Sequence, residues 1–282
     1  MFYFFWFVSW GHYNLSNQYL GDEGVKEKLA QALKNNSAIT GLFLSKNNIG
    51  PEGAKAIAEV LKDNIGVKIL MLGVNNIGDE GAKAIAEALK YNTFLSITAL
   101  DLSKNNIGPK GAKAIAEAVK NNIDIGELFL SLNNIGDEGA KAVASASKYN
   151  SNIVGIFFDA CNMSYDGAKA VVEIVKGTSI HELTLTYNNL NTEEEELISQ
   201  ALLDNNITQE SYILNDEEEL LLAEVLQSYS AIKESNISHN NVIDERSEEV
   251  DQTLQDHLLD EFNSGSVIEH SNTNDTLHNS EL

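Results

Sequence analysis

The sequence predicts an α/β fold, a right-handed solenoid of alternating strands and helices. The first observation is a repeated Asn-Asn-Ile-Gly segment at residues 47–50, 75–78, 105–108 and 133–136, followed each time, after two residues, by Gly-Ala-Lys-Ala. The second is that apolar residues in each copy first alternate and then take a helical spacing, which indicates a short strand followed by a helix. Stacked copies are expected to share one core, because a single copy cannot bury its apolar side alone.

Each copy begins with an apolar frame, φ-x-x-L-x-L-x-x-N-x-I, and this frame predicts about seven copies. Its first positions lie 27 to 30 residues apart and are Trp10, Ile39, Val67, Ile97, Ile125, Ile153 and Ile180. Alternating residues such as Leu42 and Leu44 predict a strand with both side chains inward. The first copy, with Tyr13 and Leu15, is degenerate, as a terminal repeat is expected to be. Parallel strands should line the inside of a curve, because helices are wider than strands.

The second half of each copy has the pattern of an amphipathic helix. In the second copy the residues of the apolar face are Ala54, Ile57, Ala58 and Leu61. Gly50 and Asn64 are expected to bound this helix. Lys55 and Glu59 lie on its outer face, where we expect a weak ion pair. The small residue Gly53 is expected to let the helix lie close to the strand layer.

The consensus L-x-L-x-x-N-x-I-G-(D/P)-(E/K)-G-A-K-A-(I/V)-A resembles the leucine-rich repeats of the ribonuclease-inhibitor type, which also occur in NOD-like receptors and in the Ran GTPase-activating protein. The resemblance covers roughly residues 10–214. It implies a horseshoe that binds protein on its concave face, and it is far more specific for fold than for activity.

One polar position interrupts the apolar frame after each strand. It is occupied by Asn47, Asn75, Asn105, Asn133, Cys161 and Asn188, with Gln18 in the equivalent place of the first copy. A buried amide here is expected to bond backbone groups where the chain leaves the sheet, which would form a structural ladder. The resemblance implies that Asn or Cys is accepted here, so Cys161 is interpreted as a ladder residue. A reactive thiol is the alternative interpretation.

The candidate partner-binding residues are those of the strands and following turns that point away from the predicted core. They are Phe43, Ile69, Met71, Val74, Asp101, Glu127, Phe129, Leu132, Phe157, Asp159, Glu182 and Tyr187. An exposed apolar patch with aromatic and acidic groups is typical of a protein-binding site. We predict its centre at Phe129 and Phe157, whose replacement by serine should leave folding intact. The alternatives are strand propensity, which favours such residues on any strand, and recent duplication of the repeats.

The sequence contains no recognisable catalytic or metal-binding constellation, and no cofactor is expected. The histidines lack metal-ligand spacing, the glycines form no phosphate-binding motif, and the single arginine, Arg246, lies outside the repeats. We therefore predict a non-catalytic protein–protein interaction module and not an enzyme. The alternatives are a regulator of an enzyme, of the GTPase-activator or nuclease-inhibitor type, a host-directed effector of an intracellular bacterium, and a fragment of a larger receptor.

Four regions are predicted along the chain. They are an apolar N-terminal segment (1–9), the solenoid (10–214), a C-terminal capping helix (215–232) and an acidic, largely disordered tail (233–282). Within the tail, residues 247–262 have the pattern of an amphipathic helix. The last copy should contain a helix over residues 192–203, followed by a final strand at 211–214.

The formal net charge of −23 belongs mainly to the end of the chain. Residues 191–282 hold 23 acidic and 2 basic residues, which leaves a net charge of −2 for residues 1–190. Glutamates balance the lysines of the outer helical faces, so we expect no binding to nucleic acid or to membranes. We expect a monomer with a protein partner. A cytoplasmic site of action, or export from there into a host cell, is predicted because the cysteine-rich caps of extracellular leucine-rich repeats are missing.

Overall fold

The computed structural model of the protein describes residues 11–33, 37–92, 94, 96–121 and 124–209. Within these ranges, seven short parallel strands form one sheet in chain order. They are β1 (His12–Asn14), β2 (Gly41–Phe43), β3 (Ile69–Met71), β4 (Ala99–Asp101), β5 (Glu127–Phe129), β6 (Gly155–Phe157) and β7 (Glu182–Thr184). Neighbouring strands pair in equivalent register, so that Leu42, Leu70 and Leu100 form one row.

A helix follows each strand. The helices are α1 (Gly21–Ala32), α2 (Pro51–Asp63), α3 (Gly78–Tyr91), α4 (Pro109–Asn121), α5 (Gly136–Ala146), α6 (Tyr165–Val175) and α7 (Thr192–Leu203). Each strand and the helix after it are called a unit here, numbered 1 to 7. The alternation of strands and helices around one parallel sheet confirms the predicted βα solenoid of about seven repeats. The bounds of α7 match those expected from its sequence.

The core lies between the sheet and the layer of helices. The central residues of the strands, such as Leu70 and Leu128, are fully buried, as are Ile57 and Ile85 on the inner faces of the helices. Each fully buried side chain of this size contributes roughly 1.5–3 kcal/mol through the hydrophobic effect. The core therefore runs without a break from unit to unit, and every unit depends on its neighbours.

The glycine that opens each Gly-Ala-Lys-Ala segment allows the helices to pack closely against each other. A Cβ atom added to Gly81 would lie 2.8 Å from the Cβ of Ala54 in the preceding helix. At Gly139 the equivalent distance, to Ala112, would be 2.9 Å. We expected these small residues to bring helix and strand together. The structure shows instead that the atoms nearest to them belong to the preceding helix and to the turn before their own helix.

The helix N-termini reveal an alternation between odd-numbered and even-numbered units. An aspartate at the start of α1, α3 and α5 reaches forward to the next unit. Asp79 Oδ1 accepts from the backbone N–H groups of Gly108 at 2.7 Å and Gly111 at 2.8 Å. Asp22 bonds Gly50 N at 2.6 Å, and Asp137 bonds Ser164 N at 2.8 Å. These carboxylates satisfy N–H groups that a helix start leaves without partners, at the positive end of the helix dipole.

The charges on the outer helical surface pair differently from our expectation. Lys55 bonds Glu52 at 2.6 Å, and Glu59 bonds Lys62 at 2.5 Å, both at a spacing of three residues. The predicted pair between Lys55 and Glu59 is therefore wrong. None of the helices in the described ranges is long and apolar enough to cross a membrane.

Several predictions concern parts of the chain outside the described residues. They are the first frame position at Trp10, the N-terminal segment 1–9, the strand at 211–214, the capping helix at 215–232, and the tail at 233–282 with its helix at 247–262. They stay predictions.

Candidate functional site

The candidate site is the side of the sheet that faces away from the helices, which we call the concave face. It consists of the first and third residues of each strand and of the turn residues that follow. The first positions are His12, Gly41, Ile69, Ala99, Glu127, Gly155 and Glu182, and the third are Asn14, Phe43, Met71, Asp101, Phe129, Phe157 and Thr184. Because the strands are in register, each set forms a continuous row across the sheet.

Buried asparagines fix the turns at one edge of the concave face. The Asn133 amide group donates to the carbonyl oxygens of Leu130 at 2.8 Å and Leu102 at 2.9 Å. Its oxygen accepts from the backbone N–H groups of Asn105 at 2.9 Å and Ile107 at 3.0 Å. One side chain thus ties its own turn to the preceding unit.

The other residues of the predicted ladder occupy the same position. Asn47, Asn105 and Asn188 are buried, whereas Asn75 is half-buried. Asn47 ends the series, because its oxygen accepts from the backbone of Gln18 at 3.0 Å while the Gln18 residue is itself exposed. The expectation that Gln18 holds a buried ladder position is therefore wrong.

Cys161 lies in the same row and is fully buried. Its thiol donates to the carbonyl oxygen of Leu130 at 3.3 Å, and its backbone N–H donates to Asn188 Oδ1 at 3.0 Å. Burial raises the pKa of the Cys161 thiol well above its ordinary value, and a backbone hydrogen bond from Asn133 opposes this only in part. A neutral, enclosed thiol is a poor nucleophile at physiological pH.

A further set of buried asparagines, which our sequence reasoning missed, follows the helices. The Asn92 amide donates to the carbonyl oxygens of Asn64 at 2.7 Å and Leu61 at 2.8 Å in the preceding unit, and that of Asn150 donates to Val119 at 3.1 Å. Asn64, Asn92 and Asn150 recur after the helix at the repeat spacing, which is the signal that identifies them. Units 2 and 3, and units 4 and 5, are therefore tied to each other at both edges.

The predicted centre of the site is a stacked aromatic pair. The rings of Phe129 and Phe157 have centroids 4.3 Å apart and planes 6° apart. Phe129 is half-buried, but Phe157 is only 5% exposed. The expectation that Phe157 is an exposed residue is therefore wrong. Its ring lies over Gly155, where an added Cβ would be 3.2 Å from Phe157 Cε2.

Phe43 has a similar arrangement at the other end of the sheet. An added Cβ on Gly41 would lie 2.8 Å from Phe43 Cε2 and 2.6 Å from His12 Cδ2. The His12 and Phe43 rings meet edge to face at 5.3 Å. The apolar residues between the two phenylalanine sites, Ile69, Met71 and Val74, are half-buried, as is Leu132. The apolar patch is thus more enclosed than the sequence suggested.

The carboxylates around the aromatic pair have different environments. Asp159 is held by hydroxyl groups, since it accepts from Thr184 Oγ1 at 2.5 Å and from Thr186 Oγ1 at 2.7 Å. Asp101 bonds the backbone of Ser103 at 2.8 Å. Glu127 is exposed and Glu182 is half-buried. Among these carboxylates, Glu127 is the exposed one. Asp159 instead connects the turn after β6 to Thr184 and Thr186 of unit 7 through hydrogen bonds.

Charge divides the concave face into two halves. The first half, β1 to β3 with their turns, carries Lys46. The second half, β5 to β7 with their turns, carries Glu127, Asp159 and Glu182 and neither lysine nor arginine at the outward positions. Tyr187 lies in the turn after β7 and is 40% exposed. The second half therefore combines negative charge with the stacked aromatic pair.

In the turn after each strand, the residue just before the ladder position has a left-handed backbone. The φ angles are 58° at Lys46, 57° at Val74, 60° at Leu132 and 56° at Tyr187. A β-branched residue such as Val74 is unfavourable in this conformation.

Across the described ranges, no group of three or more His, Cys, Asp or Glu residues is arranged to hold a metal ion.

The comparison with protein families agrees with this architecture. A profile described as Leucine Rich repeat matches residues 35–58, 67–86, 95–116 and 125–144, which fall in units 2 to 5. The solved structure of leiomodin-1 actin-binding site 2 is similar with a TM-score of 0.43 and 20% identity, over 55% of this chain and 88% of that chain. No curated protein sequence matches the chain. The profile thus matches four of the seven units of the βα solenoid that the in-register strands and their helices form.

Proposed function

We propose that the solenoid is a non-catalytic interaction module that binds a protein partner on its concave face. The observation that carries this proposal is the Phe129–Phe157 stack on the concave face, 4.3 Å between centroids, in which half-buried Phe129 is the ring that a partner can reach. Glu127 and Glu182 lie on the same face, on β5 and β7. Aromatic residues surrounded by polar groups are the usual anchors of protein interfaces. We also propose that the repeats are of the ribonuclease-inhibitor type.

Strand propensity alone is a weak explanation of the aromatic residues. Gly41 and Gly155 lie two residues before Phe43 and Phe157 on the same strands. Glycine is disfavoured within strands, and it is usually found there where another group must approach the backbone closely. Gly41 and Gly155 leave room for these rings beside the backbone, because an added Cβ would lie 2.8 Å from Phe43 Cε2 or 3.2 Å from Phe157 Cε2.

The hydrogen-bonded edges of the sheet support binding by making the concave face rigid. Asn133 joins units 4 and 5 on one edge, and Asn92 joins units 2 and 3 on the other. A surface that is already ordered loses little conformational entropy when a partner docks. The distances between the side chains that would contact a partner are therefore fixed before binding.

Site-specific photocrosslinking tests the proposal. A benzophenone amino acid is placed at position 71 or 132 of the concave face, and at position 113 of α4 on the opposite surface as the matched control. In extracts of the native cells, the concave positions should crosslink the same protein, and the control should not. Phe129→Ser in the crosslinking variants should remove the product. Equal crosslinking from position 113, or a product unaffected by Phe129→Ser, would contradict the proposal.

A further inference from the structure

We propose that the solenoid binds the surface of a lipid bilayer through the edge at which its helices end, which we call the lower edge. The lower edge comprises the described residues of the ranges 33–40, 61–68, 88–98, 118–126, 146–154, 174–181 and 201–208, where each helix ends and the chain turns back toward the sheet. It is a surface other than the concave face, so the proposal is independent of the proposed function.

The large apolar side chains that are exposed gather at the lower edge. Among the described residues there are eight of them, and five lie here. Phe94 is 79% exposed and Tyr91 is 73% exposed, and the other three are Ile65, Tyr149 and Leu203. Single exposed apolar residues are ordinary on a protein surface, but their concentration at one edge indicates a binding surface.

Backbone hydrogen bonds connect successive units along the lower edge. The N–H group of Thr98 donates to the carbonyl oxygen of Lys68 at 2.7 Å, and that of Gly126 donates to Thr98 at 2.8 Å. The same bond joins Val154 to Gly126 at 2.8 Å and His181 to Val154 at 3.0 Å. Equivalent residues of successive units therefore follow each other along the edge, so that one extended surface can contact several units at once.

Lysines accompany the exposed aromatic residues. One lysine recurs at the ends of five helices, as Lys62, Lys90, Lys120, Lys148 and Lys176. Lys120 Nζ lies 4.4 Å from the centre of the Tyr149 ring, which places a cation beside an exposed aromatic group. The helix dipole favours lysine at these positions in any protein, but it does not account for the aromatic residues next to them. Lysine beside aromatic groups suits a bilayer surface with anionic headgroups.

Acidic neighbours limit the positive charge of the lower edge. Lys62 and Lys176 form ion pairs with Glu59 and Glu173, and the edge also carries Asp63 and Asp124. We therefore expect the aromatic residues to contribute more to binding than the lysines. Our expectation of no membrane binding rested on the balanced charges of the outer helical faces, which are a different surface from the lower edge.

The N-terminal residues join the solenoid at the same edge. The carbonyl oxygen of Gly11 accepts from the backbone N–H of Thr40 at 2.6 Å, and that of Thr40 accepts from Lys68 at 2.8 Å, which continues the series of bonds along the edge. Residues 1–10 lie outside the described ranges, and their sequence contains seven aromatic residues. Aromatic residues favour the interface between lipid and water.

A bilayer fits these residues better than nucleic acid or a compact protein. Nucleic acid is bound mainly by clustered lysine and arginine on phosphates, whereas the most exposed of the large side chains at this edge is the apolar Phe94. The exposed apolar residues come from units 2, 3, 5 and 7, which spreads them along the edge. Contact with an extended surface uses all of them together.

Vesicle flotation of the full chain tests the proposal. The wild-type protein should float with large vesicles of phosphatidylcholine that contain about 30% phosphatidylserine. Tyr91→Ser with Phe94→Ser should lower the affinity for these vesicles about tenfold, because two rings no longer enter the interface. Tyr19→Ser is the matched control, since Tyr19 is 77% exposed but lies between β1 and α1, at the opposite edge. It should bind like wild type.

A fluorescent label shows whether the lower edge itself meets lipid. Phe94→Cys and Tyr19→Cys can each be labelled selectively with a nitrobenzoxadiazole group, because the native Cys161 is fully buried. With vesicles, emission from position 94 should shift to the blue and rise in intensity, and emission from position 19 should not change.

Failure of the wild-type protein to float, equal losses in the two serine variants, or equal responses from the two labels would overturn the proposal. Self-association without vesicles that Tyr91→Ser with Phe94→Ser abolishes, measured by sedimentation velocity, would show that a second copy covers this edge and would overturn it as well. The crosslinking experiment reports on the concave face alone, so failure of either proposal leaves the other standing.

Discussion

Both halves of the concave face contain a glycine and a phenylalanine two residues apart on one strand, but the surfaces around them differ. In both, a glycine lies beneath a phenylalanine ring, at Gly41 and at Gly155. Phe43 meets His12 edge to face and stays half-buried, whereas Phe157 stacks in parallel with Phe129 and is almost fully buried. The comparison teaches that the glycine makes room for the ring beside the backbone, while the aromatic partner on the neighbouring strand differs between a buried and a half-buried ring.

The largest expected effect comes from Asn133, which joins unit 5, at the start of the second half, to unit 4. Asn133→Ala leaves the backbone groups of Leu102, Asn105, Ile107 and Leu130 without their side-chain partners. Loss of these buried hydrogen bonds should cost about 3–5 kcal/mol. Urea unfolding followed by circular dichroism measures the change. The exposed neighbour Asn134→Ala should cost less than about 1 kcal/mol, and similar losses for both variants would contradict the assignment.

The two phenylalanine sites should differ in their contribution to stability. Phe157→Ser removes a buried ring and should lower the free energy of unfolding by about 3–4 kcal/mol, because of lost burial and a new cavity. Phe43→Ser removes a half-buried ring and should cost about half as much. This revises the expectation that serine at position 157 leaves folding intact. Equal urea midpoints for the two variants would show that the difference in burial has no energetic consequence.

A smaller effect is expected at the two glycines. Gly41→Ala introduces contacts of 2.6 Å and 2.8 Å with His12 and Phe43, so those side chains must move, at a cost of about 1 kcal/mol. At Gly155 the nearest contact is 3.2 Å, and the cost should be about 0.5 kcal/mol or less. Gly126→Ala is the control, because its added Cβ meets only backbone oxygens at 3.4 Å and 3.5 Å. We expect the melting temperature to fall least for Gly126→Ala, more for Gly155→Ala and most for Gly41→Ala.

The smallest effect distinguishes the turn residues of the two halves. Val74 and Leu132 both have left-handed backbones, but only Val74 is β-branched. Val74→Asn should raise the free energy of unfolding by about 0.5–1 kcal/mol, because asparagine tolerates this conformation. Leu132→Asn should give a smaller gain. A loss of stability in the Val74 variant would mean that its side-chain packing outweighs the backbone strain.

The sequence predicts the parts of this fold that recur with the repeat. Leu70 and Ile57 are identifiable because inward residues obey the strand and helix periods, and Asn133 because it interrupts the apolar frame. The forward contact of Asp79 with Gly108 is harder to foresee, since it joins residues 29 positions apart in different units. The burial of Phe157 depends on the direction of its ring, which the hydrophobic pattern does not specify. The recurrence of Gly-x-Phe at β2 and β6 is the one signal of it.

The alternation of aspartate caps limits how this chain can change its length. Asp22, Asp79 and Asp137 each serve the unit that follows, and Pro51 and Pro109 stand at the corresponding places in the capped units. If unit 3 alone were deleted, Pro51 would face the N–H of Gly108 and has no oxygen side chain to accept from it. Removal of units 2 and 3 together would instead bring Asp22 to that position. Gene duplications and deletions that preserve the fold should therefore add or remove an even number of repeats.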